Sequence, residues 1–298
     1  MMKERRESVK LREQKEAVKK EVEFKKEQAL KPCFVSDKIK LDFKIYAKDK
    51  YRRETYSSIL TKIRIVAYTS LSPSHHNVDT QRNSVESWHK LGMEIYSLNN
   101  PSEAESLKKI YPEYIKFIPT LKTSKHIFGK PYIVINAMID HFQQNKTGDV
   151  LMLINSDIIL SPATDLIKKI KSISEIGIII SSRNDYKNKF EDGKKYGFGF
   201  DVFFIHNKYA NIFPPTIYSM GQTWWDYWVP YTALKNNIPV FRIEEKFAFH
   251  KEHPKQYQDK DWYRMTDYFK FENNIIESDY QNVNNAVWND IITNSIVI

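Results

Sequence analysis

Residues 150–160, VLMLINSDIIL, place three polar residues inside an otherwise apolar run. The first part, VLMLI, has the length and aliphatic composition of a strand that is buried on both faces. Asp157 follows it closely, and a carboxylate at the edge of a core is costly unless a cation, a metal ion or strong hydrogen bonds meet its charge. The sequence therefore predicts that some partner group meets Asp157.

Strand-like and helix-like segments alternate around this stretch. The strand-like segments are IRIVAYT at 63–69, MEIYSLN at 93–99, YIKFI at 114–118 and VLMLIN at 150–155, and the helix-like segments cover 83–91, 102–111 (with Ser102 as N-cap) and 131–144. Helices between strands are typical of βαβ units. We therefore expect an α/β fold with a mainly parallel, Rossmann-like sheet flanked by helices, and a ligand site at the carboxyl ends of its strands.

Composition limits the class of the 298-residue chain. It is 41% hydrophobic and carries a formal net charge of +9, which indicates a globular protein and favours anionic partners. No nucleic-acid recognition motif is present, so nucleic acid is not an expected partner. Cys33 is the only cysteine, and neither a signal-peptide core nor a long apolar run is evident. These features predict a cytoplasmic protein and leave peripheral membrane contact open.

The chain divides into three predicted parts. Residues 1–31 are mostly Lys, Arg and Glu with a thin apolar stripe, which predicts a solvent-exposed helix and leaves open self-association or a membrane contact. Residues 62–255 contain the alternating segments and form the expected main domain. Residues 256–298 are polar and aromatic, and form a C-terminal extension.

The NSD triplet at 155–157 is a candidate metal site. Asn155 and Asp157 alternate along the chain, so both side chains can point into one cleft. Two oxygen ligands on one side suit a hard divalent cation, Mg²⁺ or Mn²⁺. The alternative is a turn in which Asp157 caps a neighbouring backbone amide.

Four separated pieces of sequence together resemble the glycosyltransferases of the GT-A fold. They are IRIVAYTSLSP, LMLINSDI with its D-x-D-type motif, YGFGFDVFFI, and GQTWWDYWVPYTALKNNIPV followed by FAFHKEHP. The resemblance implies a nucleotide-diphosphate sugar donor and a metal site made of Asp157, Asn155 and His250, with His253 as second choice. It further implies that the donor is bound by Thr69, Ser70, Asn155, Ser156 and Asp157. Lys130 is a candidate second cation for the diphosphate, and the alternative is an exposed loop lysine. Asn155 departs from the family pattern, which has an acidic residue there.

The second half of the chain carries the candidate acceptor site. Gly199 permits close approach of a ligand, and Asp201 lies on an apolar strand, where it either binds acceptor or pairs with Arg or Lys. Asp226 stands among aromatic residues that include Trp224 and Trp225. Flat rings suit sugars, and apolar neighbours raise the pKa of a carboxyl toward that of a general base. The alternative makes Asp226 a helix N-cap and the tryptophans core residues.

The resemblance implies that Asp226 is the catalytic base of an inverting transfer to a hydroxyl of a glycan or glycoconjugate. Residues 256–298 lie beyond the stretch that carries the resemblance, and we expect them to pack on or near the acceptor side or to mediate association. A nucleotidyltransferase is a rival hypothesis, but the loop SLSPSHHNVD lacks the expected Gly-rich and Lys/Arg-rich phosphate loop. A second rival is a non-catalytic sugar-nucleotide-binding or scaffold protein with a degenerate metal site, for which Asn155 is the motivating residue.

Overall fold

A computed structural model describes residues 37–54, 62–73, 78–253 and 258–298 of the chain. The predicted helix over 1–31 lies outside the described residues. The strands are β1 (Ile65–Thr69), β2 (Glu94–Asn99), β3 (Ile115–Pro119), β4 (Val150–Ile154), β5 (Ile158–Leu160), β6 (Ile178–Tyr186), β7 (Lys194–Lys195), β8 (Val202–His206), β9 (Val240–Lys251) and β10 (Ile296–Val297).

Helices connect most of these strands. They are α1 (Asp37–Glu54), α2 (Val78–Lys90), α3 (Pro101–Leu107), α4 (Lys125–Phe128), α5 (Ile135–Asn145), α6 (Thr164–Ser174), α7 (Trp225–Lys235), α8 (Asp259–Glu272) and α9 (Tyr280–Asn294). Short 3₁₀ turns cover Phe190–Asp192 and Asn207–Ile212. None of the helices named above is both long and apolar enough to cross a bilayer.

All ten described strands belong to one sheet, whose main order is β10-β9-β6-β8-β4-β1-β2-β3. The pairs among β1, β2, β3 and β4 are parallel, as are β6 with β9 and β9 with β10. β8 runs antiparallel to both of its neighbours, and β5 and β7 add short antiparallel pairings to β9 and β6. The mainly parallel α/β sheet flanked by helices is therefore confirmed.

Each central strand sends alternate side chains into two separate cores. In β1, Val66 and Tyr68 pack with α5 and α7, whereas Ile65 and Ala67 pack with α2 and α6 on the opposite face. β4 is fully buried along its length. This explains why VLMLI is apolar at every position rather than at alternate ones, because helices cover both faces of the sheet.

Several element boundaries differ from those expected. α2 begins at Val78 rather than at residue 83, and the cap of α3 is Asn100, whose side chain accepts a hydrogen bond from the backbone nitrogen of Ser102. The segment predicted as one helix over 131–144 begins as a loop, and α5 starts at Ile135. α1 was not predicted. Its Ala47 is buried where the helix packs on the rest of the protein. Its Lys50 forms an ion pair with Glu175, with 2.9 Å between Nζ and Oε2.

The chain also returns to the sheet at its end. β10 pairs in parallel with β9, with Ile296 opposite Phe241, and α9 packs on α7. The segment 258–298 therefore contributes two helices and an edge strand to the same body.

The backbones of β6 and β9 approach closely at their starts, and this close approach predicts that Gly177 is needed for stability. A Cβ at Gly177 would lie 2.1 Å from the carbonyl oxygen of Pro239, whereas a Cβ at Gly197 would meet no atom within 4 Å. We expect Gly177→Ala to lower the free energy of unfolding by about 1–3 kcal/mol, because the two backbones must move apart. Gly197→Ala is the matched control, with stability unchanged or raised by less than about 1 kcal/mol. Urea unfolding of both variants checks this, and equal effects would contradict it.

Candidate functional site

The loop after β1 is fixed by hydrogen bonds from β2 and α2. Ser97 Oγ accepts from the Leu71 nitrogen at 3.0 Å, and Asn99 Nδ2 donates to the Leu71 carbonyl at 2.7 Å. Gln81 of α2 is buried and bridges two loops. Its oxygen accepts from the Ser72 nitrogen at 3.1 Å, and its nitrogen donates to Ser156 Oγ at 3.0 Å. The carboxyl ends of β1 and β4 are therefore held together by one side chain.

Strand register brings Asp157 to His250. Ile158, the residue after Asp157, is the antiparallel partner of His250, while Asp185 of β6 is the parallel partner of His250 on the other side. His250 thus lies between two carboxylates that are far from it in sequence. This pairing supplies the partner that the charge of Asp157 requires.

Three side chains converge here on a common point. His250 Nε2 lies 3.0 Å from His253 Nε2 and 3.5 Å from Asp157 Oδ2, and His253 Nε2 lies 3.2 Å from the same oxygen. Donors bound to a single ion at about 2.1 Å are spaced by roughly 3.0–3.4 Å at tetrahedral or octahedral angles. The triangle of Asp157, His250 and His253 therefore has the size of one face of a metal coordination shell.

The outer contacts of this triangle also suit a metal ion. His250 Nδ1 is 2.8 Å from Asp185 Oδ1, the carboxylate–histidine contact that orients a ligating imidazole. Burial raises the pKa of Asp157, but the hydrogen bonds with His250 and His253 outweigh it and hold that pKa below its ordinary value. Burial likewise lowers the pKa of His250, and its bonds to Asp157 and Asp185 reverse this, raising it to about 9. A metal ion bound here would displace that proton.

Arg183 connects the triangle to a second group of charges. Its Nε donates to Asp185 Oδ1 at 2.7 Å, and its Nη1 donates to Asp201 Oδ1 at 3.1 Å. The guanidinium also stacks over the ring of Tyr196, 4.1 Å from the centroid. Asn155 Nδ2 donates to the same oxygen of Asp201 at 2.8 Å. Asp201 is thus paired with an arginine, and the amide nitrogen of Asn155 is directed toward Asp201. The role of Asn155 as a metal ligand stays a prediction.

Asp226 occupies the first turn of α7, just after an unusual backbone bend. Trp224, the residue before the helix, has φ of 71°. Opposite the helix start, Gly199 has φ of 113°, and a Cβ there would lie 2.8 Å from Asp226 Oδ2. Gly199 is therefore the residue that lets the Asp226 carboxyl approach the chain before β8. The sequence alternative of Asp226 as N-cap does not hold, because that position belongs to Trp224.

The surroundings of Asp226 disfavour its charged form. Burial is the largest cause and the nearby charge of Asp201 the second, and together they raise the pKa of Asp226 to about 7. Backbone N–H groups, including those of Phe200 and Tyr227, act in the opposite direction and are outweighed. A carboxyl with this pKa exchanges protons readily near neutral pH.

One cleft of about 1090 Å³ is bordered by both groups of charges. The predicted site residues that border it are Ser70, Lys130, Asn155, Ser156, Asp157, Gly199, Asp201, Trp224, Trp225, Asp226 and His250. Thr69 does not border it, since its side chain is fully buried at the end of β1. Trp224 and Trp225 border the cleft but are 2% and 1% exposed, and their rings pack against Phe269 and Phe203.

Sequence reasoning missed three residues of this site, namely Gln81, Arg183 and Asp185. The signal for Arg183 and Asp185 was the polar sequence RND at the end of the apolar run IIISS. Gln81 gave no comparable signal, because its importance comes from two loops that meet only in the folded chain. His253, the second choice as a ligand, joins His250 in the triangle.

Comparisons with known proteins were made on the sequence and on the fold. No protein-family model matches the chain, and neither does any curated protein. Among solved structures, HddC from Yersinia pseudotuberculosis complexed with GMP-PN is 12% identical, with a TM-score of 0.34, covering 70% of this chain and 100% of HddC. A candidate nucleotide-diphospho-sugar transferase from Desulfovibrio desulfuricans G20 is 11% identical, with a TM-score of 0.39, covering 78% of this chain and 97% of that one. The function must therefore be inferred from the residues of the site itself.

The triangle predicts which side chains control metal affinity. We expect His250→Ala and His253→Ala each to weaken Mn²⁺ binding by at least about tenfold, because each removes one of three ligands. The triangle needs no ligand from Asn155, whose amide nitrogen bonds to Asp201, so in contrast to the sequence-based prediction Asn155→Ala should leave Mn²⁺ affinity within about threefold of wild type. His126→Ala, an exposed histidine outside the cleft, is the control. Calorimetric titration with MnCl₂ measures all four, and a loss in Asn155→Ala equal to that in His250→Ala would overturn this ligand set.

Proposed function

We propose that this chain is a glycosyltransferase that moves a sugar from a nucleotide-diphosphate donor to a hydroxyl of a glycan or glycoconjugate. One observation carries the proposal. A single cleft is bordered both by the metal-ligand triangle and by Asp226, a half-buried carboxyl whose pKa is raised to about 7. Charge stabilisation of a leaving diphosphate and proton removal from an acceptor are the two tasks of such a transfer.

The donor end of the cleft is assigned to the triangle and the loops beside it. A divalent ion held by Asp157, His250 and His253 would neutralise the charge that develops on the departing diphosphate. Lys130 borders the same cleft and is exposed, so its ammonium group can reach a phosphate. The loop containing Ser70 and Ser72 lies at the carboxyl end of β1, where open α/β sheets bind nucleotides.

The acceptor end is assigned to Asp226. Its carboxylate would take the proton of the attacking hydroxyl as the oxygen bonds to the anomeric carbon and the bond to the diphosphate breaks. A direct attack of this kind inverts the anomeric configuration, and the anomeric coupling in the NMR spectrum of the product reports it. Gly199 leaves the space that the carboxyl occupies.

The donor atoms favour Mn²⁺ over Mg²⁺ as the ion. Mg²⁺ binds almost entirely through oxygen, whereas two of the three ligands here are imidazole nitrogens. Imidazole affinity rises through the first-row transition metals, so Zn²⁺ would compete. Asp157, His250 and His253 would supply three ligands to the ion, and diphosphate oxygens would supply further ones.

A non-catalytic nucleotide-sugar-binding protein is the alternative function. Asn155 in place of an acidic residue motivates it, because the change removes one negative charge from the D-x-D-type motif. The position of His253 beside Asp157 and His250 supports the catalytic proposal instead, since it offers a third ligand atom without using Asn155.

Nucleotide binding tests the donor half of the proposal. We expect one nucleoside diphosphate from a panel of UDP, GDP, CDP, ADP and dTDP to raise the melting temperature by several degrees when Mn²⁺ is present, because a ligand that binds only the folded state stabilises it. Asp157→Ala should abolish the metal-dependent part of the shift. His126→Ala should behave as wild type. If no diphosphate stabilises the folded protein with or without Mn²⁺, the proposal fails.

Replacement of Asp226 by Asn separates chemistry from stability. We expect Asp226→Asn to lower the transfer rate by about 10²–10⁴-fold, as removal of a general base does. In the wild type the transfer rate should rise with pH up to about pH 7, where Asp226 becomes ionised.

The same variant should be more stable than wild type at alkaline pH. The folded pKa of Asp226 lies above that of an unfolded aspartate, so stability is lost as the pH rises through about 7 and the half-buried group is forced to ionise. We therefore expect Asp226→Asn to raise the free energy of unfolding more at pH 8 than at pH 5. Urea unfolding at the two pH values measures it, and an equal gain at both would show that Asp226 ionises at its ordinary pKa.

A further inference from the structure

Several aromatic side chains are exposed where they border the cleft. Tyr263 of α8 is 48% exposed, Phe198 is 46% exposed and Tyr196 is 36% exposed. Trp224 and Trp225, by contrast, are buried by their neighbours. The apolar ring surface open to a ligand is therefore supplied by the segment before β8 and by helix α8.

These exposed rings are held in place from behind. Phe198 packs on Trp288 of α9, with ring centroids 5.5 Å apart, and Trp288 also stacks on Phe200 at 5.0 Å. Tyr263 lies edge-on between Trp262 at 5.3 Å and Tyr280 at 5.0 Å. Rings fixed in this way lose little conformational entropy when a ligand stacks on them.

An amide side chain borders the cleft beside the rings. Asn284 of α9 lies one helical turn from both Tyr280 and Trp288, which pack against Tyr263 and Phe198, and it lines the same cleft. Its side chain makes no hydrogen bond to another described residue. An amide carries both donors and an acceptor, so Asn284 can bond to a polar ligand that does the same.

We propose that α8 and α9 form a carbohydrate subsite in which a sugar ring of the acceptor stacks on Tyr263, the most exposed of these rings, and bonds its hydroxyls to Asn284. The inference rests on the proposed function, because Asp226 borders the same cleft and would act on a hydroxyl of the bound glycan. A pyranose combines the two features that the subsite requires. One ring face is apolar C–H surface, and its rim carries hydroxyls that both donate and accept.

The chemistry of the walls favours a sugar over a nucleobase in this subsite. A base needs a flat slot and a few fixed edge contacts, and the expected nucleotide position lies at the carboxyl end of β1, beside Ser70 and Ser72. The exposed rings come instead from the segment before β8 and from α8. The cleft of about 1090 Å³ is also larger than a site for one small ligand usually is, so it has room for donor and acceptor together.

Binding to defined glycans tests the subsite. The probe is an array of mono- to tetrasaccharides, in which each glycan is presented in three forms: unattached, linked to a lipid and linked to a peptide. The affinity of the full chain for each glycan that binds is then measured by calorimetry. We expect wild type to bind at least one glycan, and Tyr263→Ala and Asn284→Ala each to weaken it by about tenfold or more. The form bound most tightly identifies a free, lipid-linked or peptide-linked source.

Two matched variants control for general effects of the substitutions. Phe271→Ala changes an aromatic residue of α8 that is 81% exposed and does not border the cleft, and Asn289→Ala changes an exposed asparagine of α9. Both should bind the glycan as wild type does. If all four variants bind it equally, the subsite lies elsewhere and the inference fails.

Nucleotide titration of the same samples separates this inference from the proposed function. Diphosphate binding with no glycan bound by wild type would overturn the subsite and leave the donor half standing. Glycan binding that depends on Tyr263 and Asn284, with no diphosphate binding, would support the subsite and overturn the transferase proposal.

Discussion

The pairing of β9 with β5 and β6 is the constraint on which the candidate site depends. His250 faces Asp185 across a parallel ladder and lies opposite Ile158 across an antiparallel one. A slip of one residue would turn His250 to the other face of the sheet, since side chains alternate along a strand. The register is not continuous. Ser181 pairs with Ile243, but Arg183 pairs with Ala248, so β9 carries extra residues at this point. That irregularity fixes which residues of β6 stand beside His250.

The sequence predicts the elements of the sheet better than their partners. An apolar run such as VLMLI is readable because helices cover both faces of β4, and that burial leaves a local mark in the sequence. Asp185 is different. It becomes a partner of His250 only through the register shift between β6 and β9, and nothing within a few residues of it records that shift. Asn155 shows the same limit: its place after β4 was predictable, but its bond to Asp201 joins residues 46 positions apart. α1 was missed because its apolar face is weak.

Arg183 makes the two halves of the cleft electrostatically dependent on each other. Its guanidinium is shared between Asp185, which holds His250, and Asp201, which lies near Asp226. Shared in this way, it neutralises Asp201 only in part, and the remaining negative charge helps to keep the proton on Asp226. An acidic residue at 155 would replace a donor to Asp201 by a third carboxylate and push the pKa of Asp226 higher still. Electrostatics alone therefore explains why residue 155 is an asparagine and not an acidic residue, without reference to a metal ion.

Asp226 shows which of several opposing effects prevails in this site. Its place in the first turn of α7 exposes it to the positive end of the helix dipole, which stabilises an anion by about 0.3–1 kcal/mol, and up to about 2 kcal/mol when partly buried. Backbone N–H groups act in the same direction. Burial and the charge of Asp201 nevertheless raise its pKa to about 7, some three units above an ordinary aspartate, which corresponds to roughly 4 kcal/mol.

The left-handed backbone at Trp224, which costs a non-glycine residue about 1–2 kcal/mol, holds the carboxyl in that position. Such strain persists only where the surrounding packing fixes it, and the tight packing of Trp224 against Phe269 provides that restraint.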